Sequence, residues 1–226
     1  MVNLKLLSAQ LVFLVLLFSV PLFLAAGTLA WPAGWTFLVL FFAFTFALTA
    51  WLYRHNPDLL RERMATKNPG QKSWDRIGMS GMFVLFLAWL VLMPLDAVRF
   101  HWSHMSLWLQ IVGALLMLWS FWLFFATFRE NSFLSPMVRI QSERGQTVIS
   151  TGPYHYVRHP MYAAALCMLL GSALLLGSWF GLLAALLLIV AIAIRAIFEE
   201  RTLQQELQGY ADYKTHVRYR LIPYIW

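Results

Sequence analysis

Six stretches of this chain, at about 5–27, 33–53, 77–98, 106–128, 160–176 and 179–197, are apolar almost throughout. A helix that crosses a bilayer needs about 20 mainly apolar residues, so these runs constrain the fold more than any other feature. Composition agrees: 61% of the residues are hydrophobic and 12% charged, against roughly 25% charged in soluble domains. So few charges could not cover so apolar a chain in water. The expectation is an all-α, polytopic transmembrane protein of about five to six spans, with little length left for a separate soluble domain. The first run has the outline of a signal peptide, with Lys5, an apolar stretch and Ala25-Ala26-Gly27. It is long for such a segment and further spans follow, which favours a retained first helix. Pro21 is a place for that helix to kink.

The basic residues set the expected orientation. Lys5 precedes the first span, and loop 54–76 carries Arg54, Arg61, Arg63, Lys67, Lys72 and Arg76. Loop 129–159 carries Arg129, Arg139, Arg144 and Arg158, and the tail carries Arg195, Arg201, Lys214, Arg218 and Arg220. Of the alternate loops, only 99–105 has a basic residue, Arg99. Sixteen of the seventeen Lys and Arg residues therefore share one side, which the positive-inside rule makes cytoplasmic, with both termini there. The net charge of +7 forms no uninterrupted basic face, so nucleic acid is not an expected partner. Anionic lipid headgroups are.

The last two apolar runs are joined by Gly177-Ser178, which reads as a tight helical hairpin. It should bring residues near 155–162 beside residues near 195–203. In the first stretch, Gly152-Pro153 is a turn signal and Pro160 suits the first position of a helix. His159 then falls at the N-cap, with Tyr162 one turn in. Arg158, His159 and the helix end make a candidate anion seat. The same residues also suit interfacial anchoring, with Arg158 on lipid phosphate and Tyr154, Tyr156 and Tyr162 in an aromatic belt.

In the second stretch, a carboxylate at mid-bilayer costs roughly 2.5–3.5 kcal/mol, so Glu199 and Glu200 belong at the interface or in a polar cavity. They point about 100° apart on a helix, so one can face a pocket and take a cationic group; an interfacial charge cluster is the alternative. Arg195 is one turn before Glu199 and placed to pair with it. Leu203, Leu207, Tyr210, Tyr213 and Val217 follow at helical spacing, an amphipathic helix expected to lie on the membrane and roof a pocket. Pro223, Tyr224 and Trp226 suit interfacial anchoring, and Asp96 and Arg99 can pair near an outer helix end.

Other chemistries find little support. Cys167 is the single cysteine, so no intrachain disulfide can form. His155/His159 and His101/His104 lack a third ligand, so no metal is expected. Neither a glycine-rich phosphate loop nor a Gly-x-Ser-x-Gly elbow occurs.

Taken together, Gly152-Pro-Tyr-His-Tyr-Val-Arg-His-Pro-Met-Tyr162, Glu199-Glu-Arg-Thr-Leu203 and Tyr210-Ala-Asp-Tyr213 resemble the C-terminal signature of membrane methyltransferases related to isoprenylcysteine carboxyl methyltransferase and phospholipid methyltransferases. The resemblance covers about residues 145–220. Asn131-Ser-Phe, Val138-Arg-Ile-Gln141, Glu143-Arg-Gly145, Asn56-Pro-Asp-Leu-Leu-Arg-Glu-Arg63 and Gly70-Gln-Lys-Ser-Trp-Asp75 are similar to its bacterial branch, which implies a bacterial inner membrane. Ala164 stands where the family often carries glycine.

The resemblance implies S-adenosylmethionine as methyl donor, with S-adenosylhomocysteine as product, in a cytoplasm-facing pocket closed by the C-terminal segment. It implies donor contacts at His159 and Tyr162, with Arg158 in or beside the pocket and Glu199 or Glu200 on the donor's amino group. Tyr154 and Tyr213, from the same motifs, join the donor side. The acceptor, a lipophilic or small nucleophile (carboxylate, amine or thiol), is expected near Arg129, Glu130 and Asn131. The chain then divides into N-terminal transmembrane helices, 1–128, and a methyltransferase-like region, 129–226. Two other readings remain open: an NADPH-dependent membrane reductase of sterol-reductase type, and a non-catalytic membrane scaffold.

Overall fold

A computed structural model describes residues 2–65 and 70–226; Lys67, counted among the basic residues above, lies outside the described residues. The element order is α1 (Leu4–Ala26), α2 (Pro32–His55), α3 (Pro57–Met64), α4 (Ser73–Pro94), α5 (Leu107–Glu130), α6 (Pro160–Leu175), α7 (Trp179–Glu206) and α8 (Tyr210–His216). A π-helical turn, Leu95–Arg99, prolongs α4. Among the described residues, α1, α2, α4 with its π turn, α5 and α7 are long and apolar enough to cross a membrane. At 16 residues α6 is shorter, about 24 Å of helix.

The helix ends follow local chemistry. Asn3, Asn56 and Ser178 accept backbone N–H bonds at the starts of α1, α3 and α7, at 3.2, 3.1 and 2.7 Å. Each satisfies a donor that the first helical turn leaves without a partner. The main core joins Phe18 and Leu22 of α1, Phe37 of α2, Leu90 and Met93 of α4, Met117 of α5, Leu169 of α6 and Leu188 of α7. The first apolar run is thus a packed helix of the fold.

Helices α5 and α6 meet backbone to backbone where Gly113 faces Gly171. A Cβ on Gly113 would lie 2.4 Å from the Leu175 nitrogen, and one on Gly171 would lie 2.8 Å from the Gly113 oxygen. Small residues permit such backbone contact where lipid supplies no hydrophobic drive. Ala164, one of the fully buried residues of α6, fits the packed face without a glycine.

Two local expectations are corrected. Arg195 does not pair with Glu199: its Nε donates to Asp75 Oδ1 at 3.0 Å and its Nη2 to the Pro136 carbonyl at 2.7 Å. Asp96 does not pair with Arg99. Its Oδ2 accepts from the hydroxyls of Ser103, in the loop before α5, and Ser178, the N-cap of α7, at 2.6 and 2.5 Å.

The amphipathic stripe forms, but not as one helix on the membrane surface. The chain breaks at Gly209, whose φ of +84° is the left-handed conformation glycine adopts without strain. Leu207, Tyr210, Tyr213 and Val217 then turn inward and pack with Ile140, Val148 and Leu203. The apolar face is covered by the 131–159 loop instead of by lipid.

Candidate active site

The hairpin closes as its spacing predicts. His159 is the N-cap of α6 and Pro160 its first residue, and the adjacent Glu199 and Glu200 of α7 reach this end. The Tyr162 hydroxyl donates to Glu199 Oε2. The Arg158 Nε donates to Glu200 Oε1, and the Arg220 Nε donates to Glu200 Oε2 at 2.7 Å.

Beside these contacts opens a cleft of about 850 Å³ including its mouth, and Glu199 lines it. Tyr154, Arg158, His159, Tyr162, Tyr213 and Asn131 line it as well. Glu200, 2% exposed, and Arg129 are outside the lining. Arg129 is 61% exposed at its side chain and reaches Glu130 at 3.4 Å. The structure therefore brings together seven of the nine candidates and separates the adjacent glutamates, one toward the cleft and one into an ion-paired support.

Arg158 is less available than a free anion seat. Besides Glu200, its guanidinium donates through Nη1 to the carbonyls of Val217 and Arg218, each at 2.7 Å. It fastens the C-terminal segment to the hairpin. The residues beside it keep unused capacity. His159 Nε2 and the Tyr210 hydroxyl are buried with no hydrogen-bond partner among the described residues, and both residues line the cleft. Burial lowers the His159 pKa below its ordinary 6.5, against the pull of Glu199 and Glu200, so the ring is neutral at pH 7. Burial raises the phenols of Tyr154, Tyr210 and Tyr213 above their ordinary range, keeping them protonated. Asn131 Nδ2 donates to the Tyr154 hydroxyl at 2.7 Å, and the Tyr213 hydroxyl donates to the Tyr154 carbonyl at 2.7 Å. These bonds fix the aromatic wall.

The opposite wall is the loop after α5, clamped from three helices. From α3, Glu62 accepts from Arg139 at 3.0 and 2.8 Å and from Ser135 at 2.8 Å, and Arg63 donates to the Leu134 carbonyl at 3.0 Å. Hydrogen bonds from Arg139 hold the Glu62 carboxyl below its usual range. From α4, Asp75 accepts from the Val138 N–H at 3.0 Å; from α7, Arg195 reaches Pro136. Glu62, Asp75 and Arg220 have no role in the sequence reading. The first two stand within quoted motifs, in Asn56–Arg63 and Gly70–Asp75, and two acids in such an apolar chain were the available signal. Arg220 carried none.

Residues 105–209 match the family model described as phospholipid methyltransferase. This part of the chain is similar to that family. The matched region runs from the start of α5 through the hairpin to Gly209, so it holds Asn131, the 152–162 motif and both glutamates. Helix α8 and the C-terminal segment follow it. The activity that goes with the family is methyl transfer at a membrane. No curated protein matches the chain.

Proposed function

We propose that the cleft holds S-adenosylmethionine and that the protein transfers its methyl group to a lipophilic or small nucleophilic acceptor. The observation that carries this reading is the pair of buried atoms without partners, His159 Nε2 and the Tyr210 hydroxyl, in residues that line one cleft with Glu199. Orphaned buried polar groups are costly, and a ligand with complementary groups removes the cost. The donor carries an ammonium, a sulfonium and a carboxylate. Glu199 suits the ammonium, and the faces of Tyr154 and Tyr210 suit a sulfonium cation. His159 and the α6 N-terminus suit the carboxylate. When bound, the donor supplies an electrophilic methyl group for in-line displacement.

The chain's own part is positioning and exclusion of water. Arg158, Glu200 and Arg220 hold the hairpin to the C-terminal segment, and Leu134, Val138, Ile140 and Leu203 line the cleft's apolar side. No general base is required of the protein when the acceptor arrives nucleophilic. Asn131 marks the acceptor's approach, and Arg129 lies at the surface beside it. We place the cleft and both termini on the cytoplasmic side, a reading supported by the shared side of the basic loops.

The test is isotope-labelled methyl donor supplied to membranes with and without the protein, followed by lipid and small-molecule profiling. Label appearing in one acceptor class, and lost in Glu199→Gln, is the expected result; identical profiles would sink the proposal.

A further inference from the structure

The end of the chain is tied to the cleft by backbone and by charge. The N–H groups of Arg158 and His159 donate to the carbonyls of Tyr219 and Arg220, both at 2.9 Å, so the chain runs back along the residues that carry His159. Leu221 then turns into the main transmembrane core, 4% exposed. The chain closes on its last residue: the N–H groups of Arg220, Leu221 and Ile222 all donate to the Trp226 carbonyl, at 2.9, 3.0 and 3.2 Å. The Trp226 ring packs on the same core and lies 5.0 Å from the Arg220 guanidinium, which also holds Glu200.

This turn presents Ile222, Tyr224 and Ile225 outward, at 42%, 89% and 76% exposure. Its inner side belongs to a core built by membrane-crossing helices, and α7 turns Phe198 outward within two residues of Glu200. Arg218, exposed, precedes it in the chain, and Arg201, exposed, follows Glu200 in α7; both suit lipid phosphate. Apolar residues with one tyrosine and a basic rim are the chemistry of the headgroup–acyl boundary.

We propose that residues 219–226 form a plug seated in the bilayer that holds the protein, and that this seating keeps Arg220 on Glu200 and so orders the Arg158–His159 wall of the cleft. The seating stands on its own; the coupling to ligand rests on the donor-site reading above. The enzyme then binds its donor well only when its tail meets lipid.

The test uses the full chain in single-copy nanodiscs of zwitterionic and anionic phospholipid. Ile225→Cys, in a Cys167→Ala background, is labelled with an environment-sensitive fluorophore and exposed to lipids bearing nitroxide at the headgroup, upper chain or chain end. Quenching strongest from headgroup and upper-chain nitroxides is expected, while a label at Ser142→Cys in the exposed loop stays unquenched. A label at residue 225 as unquenched as that at 142 would overturn the plug. So would a blue-shifted label that no lipid quencher reaches, which points to the protein itself covering the turn.

For the coupling, Ile222→Asp/Ile225→Asp should weaken S-adenosylhomocysteine binding in the discs by about tenfold, and Ile222→Leu/Ile225→Leu should restore it. Equal affinity in wild type and both variants overturns the coupling. If wild type binds no S-adenosylhomocysteine, the donor-site reading fails, and the quenching result still decides the seating.

Discussion

At the scale of residues, two adjacent glutamates have opposite fates. Glu199 faces the cleft with one oxygen on the Tyr162 hydroxyl, whereas Glu200 is buried between Arg158 and Arg220. Glu199→Gln keeps an acceptor for Tyr162 and removes the charge. It should cost about 2 kcal/mol of donor binding, roughly a thirtyfold weaker Kd, with the unfolding midpoint near wild type. Glu200→Ala strands two guanidinium groups and should lower stability by about 3 kcal/mol, read by thermal unfolding in detergent. The reverse pattern would exchange their roles.

His159 supplies a pH signature. Burial keeps its folded-state pKa below the ordinary 6.5, so below pH 6.5 the unfolded chain takes up a proton that the folded chain resists. Stability is therefore full above that value and falls as pH drops from it toward the folded pKa. Arg158, Glu199, Glu200 and Arg220 are the charges that act on the ring. The unfolding midpoint should fall from pH 6.5 to 5.5 in wild type and fall less in His159→Gln; equal slopes would contradict the burial argument.

At the scale of elements, the α5–α6 crossing and the clamped loop position the site. The Gly113–Gly171 contact leaves no room for a Cβ beside backbone, so Gly171→Ala should destabilise by about 2 kcal/mol through overpacking and weaken donor binding as α6 shifts. A midpoint equal to wild type would show that the helices can separate freely. The hairpin was legible because its signal is local: two apolar runs, Gly177-Ser178 between them, and Pro160 at the start. The direction of the amphipathic stripe was not. Leu207, Tyr210 and Tyr213 read the same whether lipid or protein covers them, and their cover, Ile140 and Val148, lies some sixty residues earlier, in a loop without periodicity. The Asp75–Arg195 tie was missed for the same reason: a local partner, Glu199, sat at ideal helical spacing. The pairing of 158–159 with 219–220 runs through backbone groups, which no choice of side chain announces.

At the scale of the molecule, one end of the bundle gathers the α3 clamp, the hairpin opening, the cleft and the C-terminal turn, and among the described residues every Lys and Arg but Arg99 belongs to that side. Reporter fusions should therefore show the chain's C-terminus and the 131–159 loop on the cytoplasmic face and residues 99–105 on the other; a C-terminus exported across the membrane would invert the topology. The central claim is that this end is a methyl-donor site. Calorimetric titration of the purified protein in nanodiscs with S-adenosylhomocysteine, and separately with NADP, tests it most directly. Saturable one-site binding of S-adenosylhomocysteine is expected, weakened in Glu199→Gln and His159→Ala and unchanged in Arg129→Ala, with no binding of NADP. Saturable NADP binding, or no S-adenosylhomocysteine binding by wild type, would contradict it.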